Sequence, residues 1–125
     1  MANTEGDYIT INKTFLNDSI TVTGIFTILY MEHSKDFVFK GERHSFWEFL
    51  YVDKGEVEVM AGEQGYKLQK GDIIFHKPNE FHSVWANKQI APNVFVITFS
   101  SSSDSMKMLE NKIFSLNDRQ SSQKK

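Results

Sequence analysis

A periodicity of two, sustained through the middle of the chain, constrains the fold more than any other feature. Apolar residues alternate along GIFTILYMEH (24–33), SFWEFLYV (45–52), EVEVM (56–60), DIIF (72–75), HSVWA (82–86) and NVFVITFS (93–100). Successive side chains of a strand point to opposite faces, so this patterning marks half-buried strands. Short turn signals separate them: HSKD, DKGE, AGEQG, KPNE and NKQIAPN. Many short strands without intervening helical patterns predict an all-β sandwich or barrel rather than an α/β sheet. The 125 residues suffice for one domain. A domain of that size buries roughly two-thirds of the surface its unfolded chain exposes.

Two segments refine the picture. In EVEVM, Glu56 and Glu58 are expected to face water and Val57 and Val59 the core. Taken as one extended strand, HSFWEFLYV puts His44, Phe46, Glu48, Leu50 and Val52 on one face and Trp47, Phe49 and Tyr51 on the other. Both faces are apolar, whereas a sandwich strand needs only one buried face. The outer face therefore requires a cover, either a helix from 106–113 or a second subunit. After Phe99 the pattern changes: serines and Asp104 offer N-caps, and Met106, Leu109 and Ile113 recur at helical spacing. A short amphipathic helix is predicted at 105–110. Asn117 or Asp118 offers a further cap, after which the sequence is polar, either the first turn of something that continues or a disordered terminus. The expected organisation is a barrel over 1–100, a helix and connector over 101–118, and a polar tail or linker start over 119–125.

Composition removes several function classes. Fourteen Lys and Arg against 16 Asp and Glu leave a net charge of −2, with no clustered cations except the last two lysines. Gripping a phosphate backbone needs such clusters, so this chain is not expected to bind nucleic acid itself. There is no cysteine, which excludes disulfides and thiolate chemistry. MANTEGDYIT has neither the basic nor the apolar region of a secretion signal, and the apolar run 25–31 is too short to span a bilayer. A cytoplasmic protein without membrane attachment is expected. No Gly-x-Ser-x-Gly elbow or phosphate-loop glycine spacing occurs. Trp47, Phe81 and Trp85, lacking a basic surround, read as core or interface residues rather than base-stacking platforms.

The chain has four histidines. His33, beside the HSKD turn, reads as solvated, and His76, at the end of DIIFH, reads as structural. His44 and His82 stand in patterned contexts, ERHSFWEFLYVDKGEV and YKLQKGDIIFHKPNEFHSV. These two stretches resemble the paired barrel motifs of the cupin superfamily. By that resemblance, the ligand glutamate that precedes a turn glycine with six residues between is Glu48, ahead of Gly55. The histidine just before it is His44, and the last ligand histidine maps onto His82. From GERHSFWEFLYVDKGEVEV to SMKMLENKIFSLND, the ordered set is similar to the N-terminal effector domain of AraC-type bacterial transcription regulators. That likeness implies a cupin-like double-stranded β-helix, or jelly roll, with a short C-terminal helix. It implies a non-enzymatic domain that binds a small-molecule effector and forms a homodimer. DNA would be bound through a helix-turn-helix region that has no counterpart in this sequence.

The sequence departs from the family where metal-binding cupins carry His-x-His, because Glu42 occupies the first position. Glu42, His44, Glu48 and His82 are thus a candidate mixed oxygen and nitrogen set for a divalent transition metal. Geometry argues the other way: four extended steps would separate His44 from Glu48 by about 13 Å. The chain would have to turn at 45–47, and SFW has no glycine or proline. With no cofactor expected on that account, His44, Glu48 and His82 become a polar cluster in a pocket. Phe46 or Trp85 would supply a stacking face for a small polar effector such as a sugar. The rival readings are a stand-alone metal-dependent oxygenase or isomerase and a sugar-binding module.

Overall fold

A computed structural model describes residues 8–10 and 20–116 and turns the alternation into two packed sheets. The strands are β1 (Tyr8–Thr10), β2 (Gly24–Glu32), β3 (Val38–Glu42), β4 (Trp47–Lys54), β5 (Glu56–Ala61), β6 (Gln64–Gln69), β7 (Asp72–His76), β8 (His82–Ala86), β9 (Asn93–Ser100) and β10 (Ile113–Ser115). A single turn-like 3₁₀ helix, η1, spans Asp104–Leu109. One sheet has six strands in the order β1-β10-β7-β4-β9-β2, the other four in the order β3-β8-β5-β6. Pairing is antiparallel except between β1 and β10. The fold is the expected all-β jelly-roll sandwich. Among the described residues no helix is long and apolar enough to cross a membrane.

The inner faces meet in a core that includes Leu50, Val52, Val57, Val59, Leu68 and Val96. Val57 and Val59 are buried while Glu56 and Glu58 stay half-exposed, as the alternation of EVEVM requires. The outer face of β4 is covered as well. Trp47 packs with Ile73, Phe99, Met106, Leu109 and Phe114 in a second cluster, so η1 is the lid over that end of the six-stranded sheet. Full burial of a side chain of this size stabilises by about 1.5–3 kcal/mol, which makes this outer cluster a substantial part of the fold.

The structure differs from the sequence expectation at four places. The helix is 3₁₀ rather than α, and its Ser103 N-cap makes no side-chain capping bond. Ser103 Oγ instead accepts a hydrogen bond from the Thr21 N–H at 2.8 Å. Ile113 is not on the helix but on β10, opposite Ile74 of β7. Asn111, at φ 58°, turns the chain out of the helical path and into the sheet. Strands β3 and β6 were not anticipated: VFKGE and QGYKLQ each carry a glycine and few apolar residues. Finally, AGEQG narrows to a Gly62–Glu63 turn flanked by paired strand residues. The caps at Asn117 and Asp118 and the polar tail lie outside the described residues.

Candidate ligand cavity and its glutamate and histidine cluster

Strand β4 does not begin at Ser45 but at Trp47, and residues 43–46 carry the chain across from the four-stranded sheet to the six-stranded one. That crossing decides the site. Expecting 44–48 to be extended is wrong, because Ser45 and Phe46 form a bend that needs no glycine or proline. The Asn79 N–H donates to the His44 carbonyl at 2.7 Å, tying the crossing to the KPN turn. His44 Nε2 consequently lies 3.1 Å from Glu48 Oε1, not a strand-length away.

Both sheets contribute to the cluster. Glu42 of β3 and His82 of β8 are cross-strand partners in one sheet, and Glu48 of β4 and His76 of β7 are partners in the other. Glu42 Oε2 is 3.4 Å from His44 Nε2 and 3.7 Å from His82 Nε2, and Glu48 Oε1 is 3.4 Å from His82 Nε2. One donor atom from each of Glu42, His44, Glu48 and His82 lies within 4.8 Å of the others. His44 Nδ1 faces the Phe46 carbonyl and His82 Nδ1 the Glu80 carbonyl, each at 3.0 Å. Those backbone contacts orient both rings with Nε2 toward the carboxylates. His82 Nε2 is buried and has no hydrogen-bond partner.

Glu42 and Glu48 of the cluster line one end of a cavity of about 390 Å³ between the sheets, whereas His44 and His82, expected as pocket residues, are not part of its lining. Thr27, Glu48 and Thr98 form a polar rung across β2, β4 and β9, with the two threonine hydroxyls 2.6 Å apart. Two residues further along, Leu29, Leu50 and Val96 form an apolar rung, and Met31 and Val94 continue it. Phe37, Phe39, Val57 and Val84 complete the apolar wall.

Comparison with known proteins places this architecture. A family model described as the AraC-like ligand binding domain matches residues 27–110. The chain belongs to that family. No curated protein matches the sequence. Solved structures share the fold. A predicted oxalate decarboxylase from Thermotoga maritima aligns with a TM-score of 0.54 and 18% identity over 60% of this chain and 67% of that one. A cupin 2 conserved barrel domain protein from Rhodopseudomonas palustris aligns at 0.52 and 17% identity over 70% and 75%.

Within this AraC-like domain, Phe46 lines the cavity, stacked on His44 at 4.1 Å and against Phe26 at 4.7 Å. Trp85 does not join them. It lies opposite Glu58 and Val38, on the outer face of the four-stranded sheet, because it is three residues from His82 and strand parity reverses its direction. His33, expected in solvent, instead lines the cavity's far end, stacked on Phe37 at 3.6 Å with Nε2 buried and unpartnered. His76 is buried, stacked on His82 at 4.3 Å, with Nδ1 3.7 Å from Glu80 Oε1. The inward alternation of Thr27, Leu29, Met31 and of Val94, Val96, Thr98 was the available signal for the cavity walls. The stacking of His33 had no sequence signal.

Burial by itself would raise the Glu48 carboxyl, but the His82 imidazole beside it, with His76 and His44, holds it below the usual carboxylate range. Burial pulls His82 down, yet Glu48, the Glu80 carbonyl and Glu42 raise it above the ordinary histidine value. For His76 burial prevails over Glu80 and Glu48 and the value falls. Burial likewise lowers His33. The cluster therefore pairs an ionised Glu48 with a His82 that holds its proton more strongly than usual.

Proposed function

We propose that this AraC-like domain is the sensing half of a transcription regulator, taking up a small-molecule effector between the sheets and acting as a homodimer. The observation that carries the reading is the largely apolar cavity lined at one end by Glu42 and Glu48, which His44 and His82 contact. Such a concave, mostly apolar site with a few convergent polar groups is what small-molecule recognition requires. Effector binding regulates only through differential affinity for two arrangements, so DNA contact belongs to an attached module and not to these sheets. Dimerisation draws on the outer face of β2 and β9, where Ile25, Ile28, Tyr30 and Phe95 are exposed and Tyr30 packs on Phe95 at 4.6 Å. A metabolite panel read by thermal shift tests the sensing role. A true effector at about 100 times its Kd adds about 2.7 kcal/mol of stability. The shift should vanish in Val96→Trp, which fills the cavity. No shift with any member, or one that survives the blocked cavity, refutes the reading. A monomeric mass by light scattering at high protein concentration refutes the dimer.

The convergence of four donors favours a second reading, a metal centre in the cluster. Ligands around one transition ion at about 2.1 Å sit roughly 3–4 Å from each other; the four carboxylate–imidazole spacings here fall in that range, and all four donor atoms lie within 4.8 Å of one another. The ring orientations set by the Phe46 and Glu80 carbonyls leave both Nε2 atoms facing the centre, as metal-bound histidines require. The residues fit the ion. A bound divalent metal would act as a Lewis acid toward an oxygen of whatever occupies the cavity. Glu42, His44, Glu48 and His82 would hold it, and the apolar walls would exclude water. Metal analysis of protein purified without chelator decides it: stoichiometric transition metal, lost in His82→Ala, supports the metal-dependent enzyme, and a folded metal-free protein refutes it.

A further inference from the structure

The cavity is not uniform along its length, and its gradient identifies the kind of molecule it takes. This step rests on the sensing role proposed above. At the polar rung the cavity wall offers the carboxylates of Glu42 and Glu48 and the hydroxyls of Thr27 and Thr98. Carboxylates only accept hydrogen bonds, so the group that meets them must donate. Beyond that rung the walls are Leu29, Leu50, Val96, Met31 and Val94, with His33 the single polar side chain at the far end. His82 Nε2, in a side chain only 3% exposed, is directed at the two carboxylates, 3.4 Å from Glu48 and 3.7 Å from Glu42, and is not itself part of the cavity lining.

We infer that the occupant is a small amphiphile, an apolar body along the Leu29, Leu50 and Val96 walls ending in one hydrogen-bond-donating head, a hydroxyl or an ammonium, at Glu42 and Glu48. A carboxylate or phosphate head would bring like charge against two carboxylates in a partly buried site, of which the one His82 imidazole beside them can offset no more than one. A sugar would leave most of its hydroxyls facing aliphatic walls, and each unpaired buried hydroxyl costs about 1–3 kcal/mol. An apolar body gains about 0.8 kcal/mol for each methylene it buries.

The test uses matched eight-carbon probes, octylamine, 1-octanol and octanoate, with D-glucose as the polyol, each titrated calorimetrically against the full chain in the presence of a chelator. Octylamine and 1-octanol should bind about tenfold or more tighter than octanoate, a difference of about 1.4 kcal/mol, and glucose should not compete. In Glu48→Gln the advantage of octylamine over 1-octanol should shrink while 1-octanol still binds. In Leu29→Trp, on a half-exposed strand that tolerates the larger ring, binding of both should be lost. Octanoate binding as tightly as octylamine, or glucose displacing the probes, overturns the assignment and leaves the sensing role intact. Probe binding unchanged in Leu29→Trp overturns it too, by placing the probes elsewhere. If none of the probes binds while the metabolite panel still gives a cavity-dependent shift, the ligand class is wrong and the sensing role stands.

Discussion

Replacing Glu48 with glutamine keeps the shape of a side chain that is 7% exposed and removes its charge. The consequence is set by the two imidazoles on either side. His82 is held above its ordinary value of 6.5, so its contribution to stability is fully present below pH 6.5 and is lost as pH rises through the folded value. His76 is held below 6.5, so its contribution is present above pH 6.5 and is lost as pH falls toward its folded value. Glu48, held below 4.5, contributes above that pH and loses its effect only as pH falls through its folded value. Below pH 6.5 His82 is protonated in the folded and the unfolded chain alike and adds no slope, so of these two histidines only His76 gives the wild type a slope there, about 1.4 kcal/mol per pH unit at most. In Glu48→Gln the main group that raised His82 is gone, leaving only the Glu80 carbonyl and the more exposed Glu42 against its burial, so both imidazoles should resist protonation when folded. Each proton taken up only by the unfolded chain contributes about 1.4 kcal/mol per pH unit, so the variant's slope approaches about 2.7 kcal/mol per unit below pH 6.5. At neutral pH the loss should be roughly 2–3 kcal/mol. That is less than the ~3–5 for a stranded buried charge, because the amide N–H can donate to His44 Nε2 and His82 can shed its proton. Urea denaturation followed by the fluorescence of Trp47 and Trp85, from about pH 5.5 to 8 with chelator present, measures both quantities. Parallel stability profiles for wild type and variant would refute the claim that Glu48 holds the His82 proton.

Met106, a residue of η1 that is 1% exposed against the six-stranded sheet, should cost about 2–5 kcal/mol when cut to alanine. The melting temperature should fall accordingly while probe affinity in the cavity is unchanged, since Met106 packs on the far side of the six-stranded sheet. Gly55 sits at φ 75°, and an added Cβ would collide with the Ala91 carbonyl. Gly55→Ala should therefore cost about 2 kcal/mol or more by denaturant midpoint, the left-handed strain alone accounting for about 1–2. Zinc affinity, measured by competition with a chromophoric chelator, should weaken as pH falls through the raised His82 value, because the ion must displace that proton. Affinity independent of pH would place the metal elsewhere.

The strands that read clearly in the sequence were those whose alternation is apolar on at least one face, and they fixed the architecture. β3 and β6 escaped because Gly41 and Gly65 interrupt short polar runs in which only pairs such as Tyr66 and Leu68 alternate. Ile113 misled because two helical steps from Met106, by way of Leu109, coincide with a strand position after the Asn111 turn. In the site, the spacing of Glu48 ahead of Gly55 and of the histidine closing KGDIIFHKPNEFH was legible. The closure of His44 onto Glu48 was not, because it follows from a passage between sheets, a tertiary fact that no local residue announces. Trp85 is a different kind of miss: an odd offset from His82 on a recognised strand was enough to put it on the outer face.

The cavity's weakest wall is also the one that can report its occupancy. β2 is an edge strand with β9 as its neighbour, and Ile25, Phe26, Ile28, Leu29 and Tyr30 are all substantially exposed. β4, by contrast, lies between β7 and β9 and is largely buried. Local opening should therefore be far easier in β2 than in β4. Thr27, Leu29 and Met31 nevertheless face the cavity, so a ligand there adds contacts to the strand that has fewest of its own. A bound ligand should slow amide hydrogen exchange across 24–32 much more than across 47–54, where exchange already requires near-global opening. Because the same strand carries Ile28 and Tyr30 outward, ordering it from within changes the surface proposed for self-association, with no rearrangement of the core needed. Equal protection of both segments by a bound ligand would show that occupancy stabilises the sandwich as a whole, and would remove β2 as the element through which the cavity is read.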